Sequence, residues 1–160
     1  MKLQQFTEKW THPEYPPDRV TEDELRAVEE HFDVRLPNDY RQSVLETGLP
    51  RPTIALLDAI VAGDVDLADA SDFHSPTEMI QGTEDSHSVG LPQHLIAFAD
   101  DCMGNMFCFD IERLRSNAPD AASIWFYDHD FGTVDQIAPN FDTWIAAFCD
   151  VEPSPETNIG

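Results

Sequence analysis

Lysine is almost missing from this 160-residue chain: only Lys2 and Lys9 occur, and lysine plus arginine number 9 against 31 aspartates and glutamates. The resulting net charge of -22 repels phosphate, so nucleic acid and anionic membrane are poor direct partners. Cysteine is scarce as well. Cys102, Cys108 and Cys149 form no even set and no C-x-x-C pair, which argues against a disulfide framework or zinc ribbon and fits a reducing, cytoplasmic setting. No stretch approaches the roughly 18 apolar residues of a membrane span, and the start MKLQQFTEKW has no long apolar run behind its lysines. Phosphate loops of the G-x-G-x-x-G or G-K-[ST] kind are missing, and the histidines show no H-x-x-x-H or H-E-x-x-H spacing. No cofactor is expected.

The charge is unevenly placed. Residues 1–51 carry 7 basic and 11 acidic side chains, whereas 52–160 carry only Arg113 and Arg115 against 20 acids, a net of -18. A field of this kind speeds association with a basic protein, but it also suits a salty cytoplasm or simple solubility. With 41% hydrophobic residues, the chain is long enough to bury one core of its own.

What the chain has in quantity is helix punctuation. Thr21 and Glu24 make a capping box that starts a helix at Glu22, and Leu25, Val28 and Phe32 give it one apolar stripe. Pro37 suits the first position of a second helix, with Tyr40 and Val44 inward and Gly48 closing it in a left-handed conformation. Ile54, Leu57, Ile60 and Val61 favour a short third helix, and residues 64–73 read as an acidic extended connection. Ser75 and Glu78 form a second capping box around Pro76, predicting a helix to about residue 83. At the far end Asn140 caps a helix whose stripe is Phe141, Trp144, Ile145 and Phe148.

Between these helices lie strand-length runs. Residues 95–99 and 106–111 predict a β-hairpin around the turn 100–105, with 123–127 a third strand and 133–137 a short fourth. The fold class expected is α+β: a single domain with an antiparallel sheet of about four to six strands, packed with N-terminal helices and a C-terminal helix. The division expected is a proline/aromatic arm over residues 1–20, of which 10–19 are extended and lie on the domain through Trp10 and Tyr15, a domain over 21–150, and a flexible tail over 151–160.

If those strands form a meander, the turns 100–105 and 128–132 share one end of the sheet. Asp100, Asp101, Asp128 and Asp130, with His129 among them, would then line one rim. Such a rim could meet a basic partner or hold a divalent cation, while aspartate is also common in turns because it bonds its own backbone. Trp125 and Tyr127 share a face of their strand and read as core, or as interface if that face is open. A paired-carboxylate glycosidase would need one acid buried against apolar groups, which no spacing shows. Cys108 and Cys149 read as small core residues, and Cys102 beside Asp100 and Asp101 is disfavoured as a thiolate.

These motifs carry a resemblance. An acidic helix followed by Leu36-Pro37-Asn38-Asp39-Tyr40 and an amphipathic helix ending near glycine resembles the opening of the SUKH superfamily. FADDCMGNMFCFDI at 98–111, IWFYDHD at 124–130 and PNFDTWIAAF at 139–148 resemble its later strands and last helix, so that most of 21–148 is covered. The proline-rich start before Arg19 and the polar tail after Val151 depart from it. That superfamily groups the fungal Smi and Knr regulators of cell-wall synthesis with bacterial immunity proteins. The resemblance implies a non-enzymatic, cytoplasmic immunity protein that neutralises a basic toxin such as a nuclease, or else a regulatory scaffold module that binds a host protein. The candidate partner-binding residues are Asp100, Asp101, Trp125, Asp128, His129 and Asp130; no catalytic residue and no metal ligand is assigned.

Overall fold

The computed structural model describes residues 1–116 and 122–154. Its elements run α1 (Lys2–Trp10), α2 (Glu22–Phe32), α3 (Asn38–Thr47), α4 (Ala55–Ala62), β1 (Asp72–Phe73), α5 (Pro76–His87), β2 (Leu95–Asp100), β3 (Met106–Asp110), α6 (Ile111–Ser116), β4 (Ile124–Asp128), β5 (Thr133–Ala138) and α7 (Phe141–Cys149). The five strands form one antiparallel sheet in sequence order, so the architecture is α+β with a simple meander. Both capping boxes are present, Thr21 with Glu24 and Ser75 with Glu78, and Asn140 accepts from the Thr143 amide to start α7. Pro37 stands one place earlier than expected, at the N-cap of α3.

One face of the sheet carries the main core. Phe98 of β2 stacks on Phe109 of β3 at 4.3 Å, and Trp144 of α7 meets Phe98, Phe107 and Phe73. Tyr40 of α3 lies edge-on to Phe98, Phe109 and Phe141. Its hydroxyl is fully buried, and that burial pushes its pKa up. The opposite face holds a smaller cluster of Leu91, Leu95, Ala97, Cys108 and Tyr127, with Met106, Trp125 and Val134 against it. Strand alternation sorts the two sets, because Phe107 and Phe109 point one way and Cys108 the other.

The N-terminus differs from expectation. Residues 2–10 form a helix whose Leu3, Phe6 and Trp10 are buried in the main core. These three recur at i, i+3 and i+7, a helical stripe that prolines further on do not disturb. Trp10 donates its indole N–H to the Phe148 carbonyl at 3.0 Å, and Lys9 reaches the Cys149 carbonyl at 2.7 Å, fixing α1 along α7. Residues 11–20 are non-helical, as their prolines require, and pair with the segment after α3 through Thr11 with Pro52 and Asp18 with Leu49. Tyr15 does not anchor them: it is 58% exposed. At the other end Val151 and Ser154 are buried, and 155–160 of the expected tail lie outside the described residues.

Smaller departures have local causes. Strand β1 comprises only Asp72 and Phe73, too short for any periodicity to show, and α6 follows β3 directly with Asp110 accepting from the Glu112 amide. Helix α5 runs to His87, whose imidazole Nε2 donates to the Leu95 carbonyl at 2.8 Å.

Helices α3 and α7 are joined by Asp39, whose carboxylate accepts from the Tyr40 and Asp142 amides. Burial raises its pKa above the ordinary value, against the lowering effect of those amides. A carboxyl raised in the folded state binds its proton more tightly there than when unfolded. Its contribution is therefore most favourable at low pH and is lost as pH rises past its unfolded value toward its folded one. Asp39→Asn keeps an acceptor oxygen for one of the two amides and removes the ionisation, and the loss at the other amide does not vary with pH. Urea unfolding should show the variant gaining on the parent between pH 4 and pH 7; an unchanged difference would contradict this.

Candidate functional site

The meander brings the turns 100–105 and 128–132 together at one end of the sheet, as the strand count implies. The His129 amide donates to Asn105 Oδ1 at 3.2 Å, and His129 Nε2 lies 3.0 Å from the Met103 carbonyl. A carbonyl only accepts, so the imidazole carries a proton on Nε2. Gly104 has φ +83°, and a side chain there would come within 3.3 Å of His129 Nε2. Glycine thus lets the two turns meet.

The rim is more selective than its sequence. Asp101 does not face outward: it is buried, and its carboxylate accepts from the Met103 and Asn105 amides and from Asn105 Nδ2. It folds the turn. Asp128 is half-buried and holds the second turn by accepting from the Asp130 and Phe131 amides. Asp100 is drawn to the sheet's β1 edge, where its Oδ2 lies 3.1 Å from His74 Nε2. Asp130 stays exposed at 70%, with His129 Nδ1 3.5 Å from it. Trp125 lies on the second face of the sheet, half-buried, with the Arg113 guanidinium 5.2 Å from its ring centre.

Two rim residues escaped the sequence reading. Phe131 is 81% exposed and Met103 68% exposed, one in each of the adjoining turns. Large apolar side chains in tight turns beside glycine were the available signal, since nothing in a turn of this length can bury them. Asp130, His129, Phe131 and Met103 therefore supply the large side chains of the exposed rim, with Cys102 exposed beside them.

The thiols are held in the protonated form. Cys102 is raised to about 11 by desolvation and then by Asp69, whose carboxylate accepts from the Cys102 amide at 3.1 Å. The neighbouring acid that matters most is thus Asp69, with Asp101 adding to it as expected. Cys108 is fully buried on the second face and raised by that burial, and Cys149 is raised for the same leading reason. A groove of about 370 Å³ between the acidic connection and the sheet is lined by Asp66, Leu67, Ala68, Phe107, Phe126 and Ile137. Among the described residues it offers a single carboxylate, Asp66, where glycoside hydrolysis needs two.

A further titratable group sits at the β1 edge. Asp72 and Asp100 are register partners, and His74, two residues past Asp72, lies on the same face. Burial alone would lower the His74 imidazole, but the hydrogen bond and charge of Asp100, with the charge of Asp72, raise it. Asp72 is raised by partial burial, with Glu78 and Asp100 adding to it against His74. Among the described residues no helix is long and apolar enough to cross a membrane.

The sequence model of the SMI1 / KNR4 family (SUKH-1) matches residues 19–147. No curated protein matches the chain. The stretch matched coincides with the elements from α2 to α7 and contains both rim turns.

Proposed function

The chain belongs to the SMI1 / KNR4 family (SUKH-1), and from that premise we propose that it is a non-enzymatic immunity protein that binds and blocks a cognate toxin with a basic surface. The observation that carries this reading is the rim. Two turns locked together present Asp130, His129, Phe131 and Met103 to solvent, in the part of the chain whose net charge is -18. An exposed aromatic and a flexible thioether beside acids combine the apolar anchor of an interface with a field that draws in a basic partner. Asp101 and Asp128 support that surface by holding the turns rather than by meeting the partner. The high pKa values of the thiols favour binding over nucleophilic chemistry.

The test is association with the products of genes encoded beside its own. The protein should bind one of them and rescue cells that express it. Asp130→Lys with Phe131→Ala should weaken that complex about 30-fold or more, since hot-spot truncation costs about 2 kcal/mol or more. Because both side chains are exposed, thermal unfolding should be unchanged. Unaltered affinity would remove the rim from the interface, and failure to bind or neutralise any co-encoded toxin would overturn the immunity reading. In that event a regulatory scaffold module, binding a host protein, is the reading favoured by the family alone.

A further inference from the structure

We propose that Asp72, His74 and Asp100 form a binding site for a divalent transition-metal cation of the zinc type. The proposal does not depend on toxin binding: Asp100 adjoins the rim turn, but its carboxylate faces β1, which closes the sheet edge. Three ligand atoms, one from each residue, lie within 4.8 Å of one another. His74 Nε2 is 3.1 Å from Asp100 Oδ2 and 4.0 Å from Asp72 Oδ2. A tetrahedral zinc ion with bonds of about 2.0–2.1 Å spaces its ligands by about 3.3 Å. The His74–Asp100 pair already has that spacing, and Asp72, 60% exposed, has the rotamer freedom to close on it.

An ordinary histidine–aspartate pair does not account for the arrangement. The His74 side chain is only 8% exposed and directs its Nε2 into the group from the protein side. The other oxygen of Asp100, Oδ1, is buried and has no hydrogen-bond partner, although buried carboxylate oxygens are ordinarily satisfied. A cation beside the carboxylate gives that oxygen an electrostatic partner. Backbone geometry also holds the set together, because the Ser71 amide donates to the Asp100 carbonyl and the His74 amide to the Phe98 carbonyl. Those bonds fix the β1 edge against β2, so the donors are placed before any ligand arrives. Glu78 lies near but is committed to the α5 cap through the Ser75 amide.

Imidazole with two carboxylates suits zinc, cobalt or manganese better than calcium, which takes six to eight oxygens. Two carboxylates beside one imidazole give the group a net negative charge, which suits a divalent cation. Three protein ligands leave a coordination position open to water or to a donor from another molecule.

Chelator-treated full-length protein should be titrated with zinc chloride and, for its visible absorption, cobalt chloride. One equivalent should bind saturably, and zinc at a hundredfold excess over its Kd should raise the unfolding midpoint by about 5 °C or more. Asp72→Asn, at an exposed position, should leave the metal-free midpoint unchanged and weaken binding at least tenfold; His74→Gln should do the same to binding. No saturable binding, binding at many weak sites only, or affinity unchanged in both variants would each overturn the proposal. None of these measurements involves a toxin, so their failure is separate from failure of the immunity reading.

Discussion

Trp144→Ala is expected to cost about 3–5 kcal/mol of folding stability. The side chain is 2% exposed and sits where α7 meets the sheet, in ring contact with Phe73, Phe98, Phe107, Phe141 and Phe148. Those five rings come from β1, β2, β3 and α7, so no single element can move in to fill the space. A domain of this size is stable by only about 5–15 kcal/mol, so the loss takes up a large share of the whole. The midpoint should fall by roughly 10 °C or more in a thermal scan. Trp144→Phe separates packing from polarity. It keeps an aromatic ring in place and removes an indole N–H that is buried without a hydrogen-bond partner, so its cost should be clearly smaller. Equal losses in the two variants would show that the ring cluster is not what holds α7 to the sheet.

Gly48→Ala is the second large effect, expected at roughly 3 kcal/mol. Gly48 follows α3 with φ +90° and ψ -174°, a region essentially reserved to glycine and costing other residues about 1–3 kcal/mol. Space is also lacking. A Cβ there would stand 2.7 Å from the Asp18 carbonyl oxygen and 3.0 Å from Pro17 Cβ. That carbonyl accepts from the Leu49 amide at 2.8 Å, while the Asp18 amide donates to Leu49 at 2.9 Å. The methyl group therefore opposes the bridge that seats residues 11–20 on the segment after α3. Chemical denaturation of the variant should give the loss directly, and its amides at 18 and 49 should exchange faster with solvent. A loss under about 0.5 kcal/mol, ordinary for a surface substitution, would show that the chain relaxes around the site.

Gly48 also shows where local reading reaches its limit. Its positive φ was legible, because a helix followed by glycine usually ends that way. The extended ψ and the close approach of Asp18 were not, since they depend on a segment thirty residues earlier in the chain. The capping boxes at Thr21 and Ser75 and the stripe of α7 were legible for the opposite reason: every partner lies within one or two turns. Helix α1 had a readable stripe in Leu3, Phe6 and Trp10, and its neighbouring prolines turned attention to an arm instead.

The site divides along the same line. That the two turns meet followed from strand order alone, since antiparallel neighbours in a meander return every second turn to one end. Which aspartates face the solvent did not follow. Asp101 and Asp130 are alike in type and in turn context, yet one is folded against its own amides and the other is free of them.

By itself the sequence determined the acidity of the later two-thirds, the capped helices, the strand meander and the family pattern, because composition and short-range periodicity are properties of neighbours along the chain. Only the tertiary structure decided that Phe131 and Met103 stand beside Asp130, that Asp101 is withdrawn, and that Asp72 and His74 share a face with Asp100. Each of those facts depends on which backbone amides and strand partners arrive from distant segments, and side-chain direction is fixed only once they do.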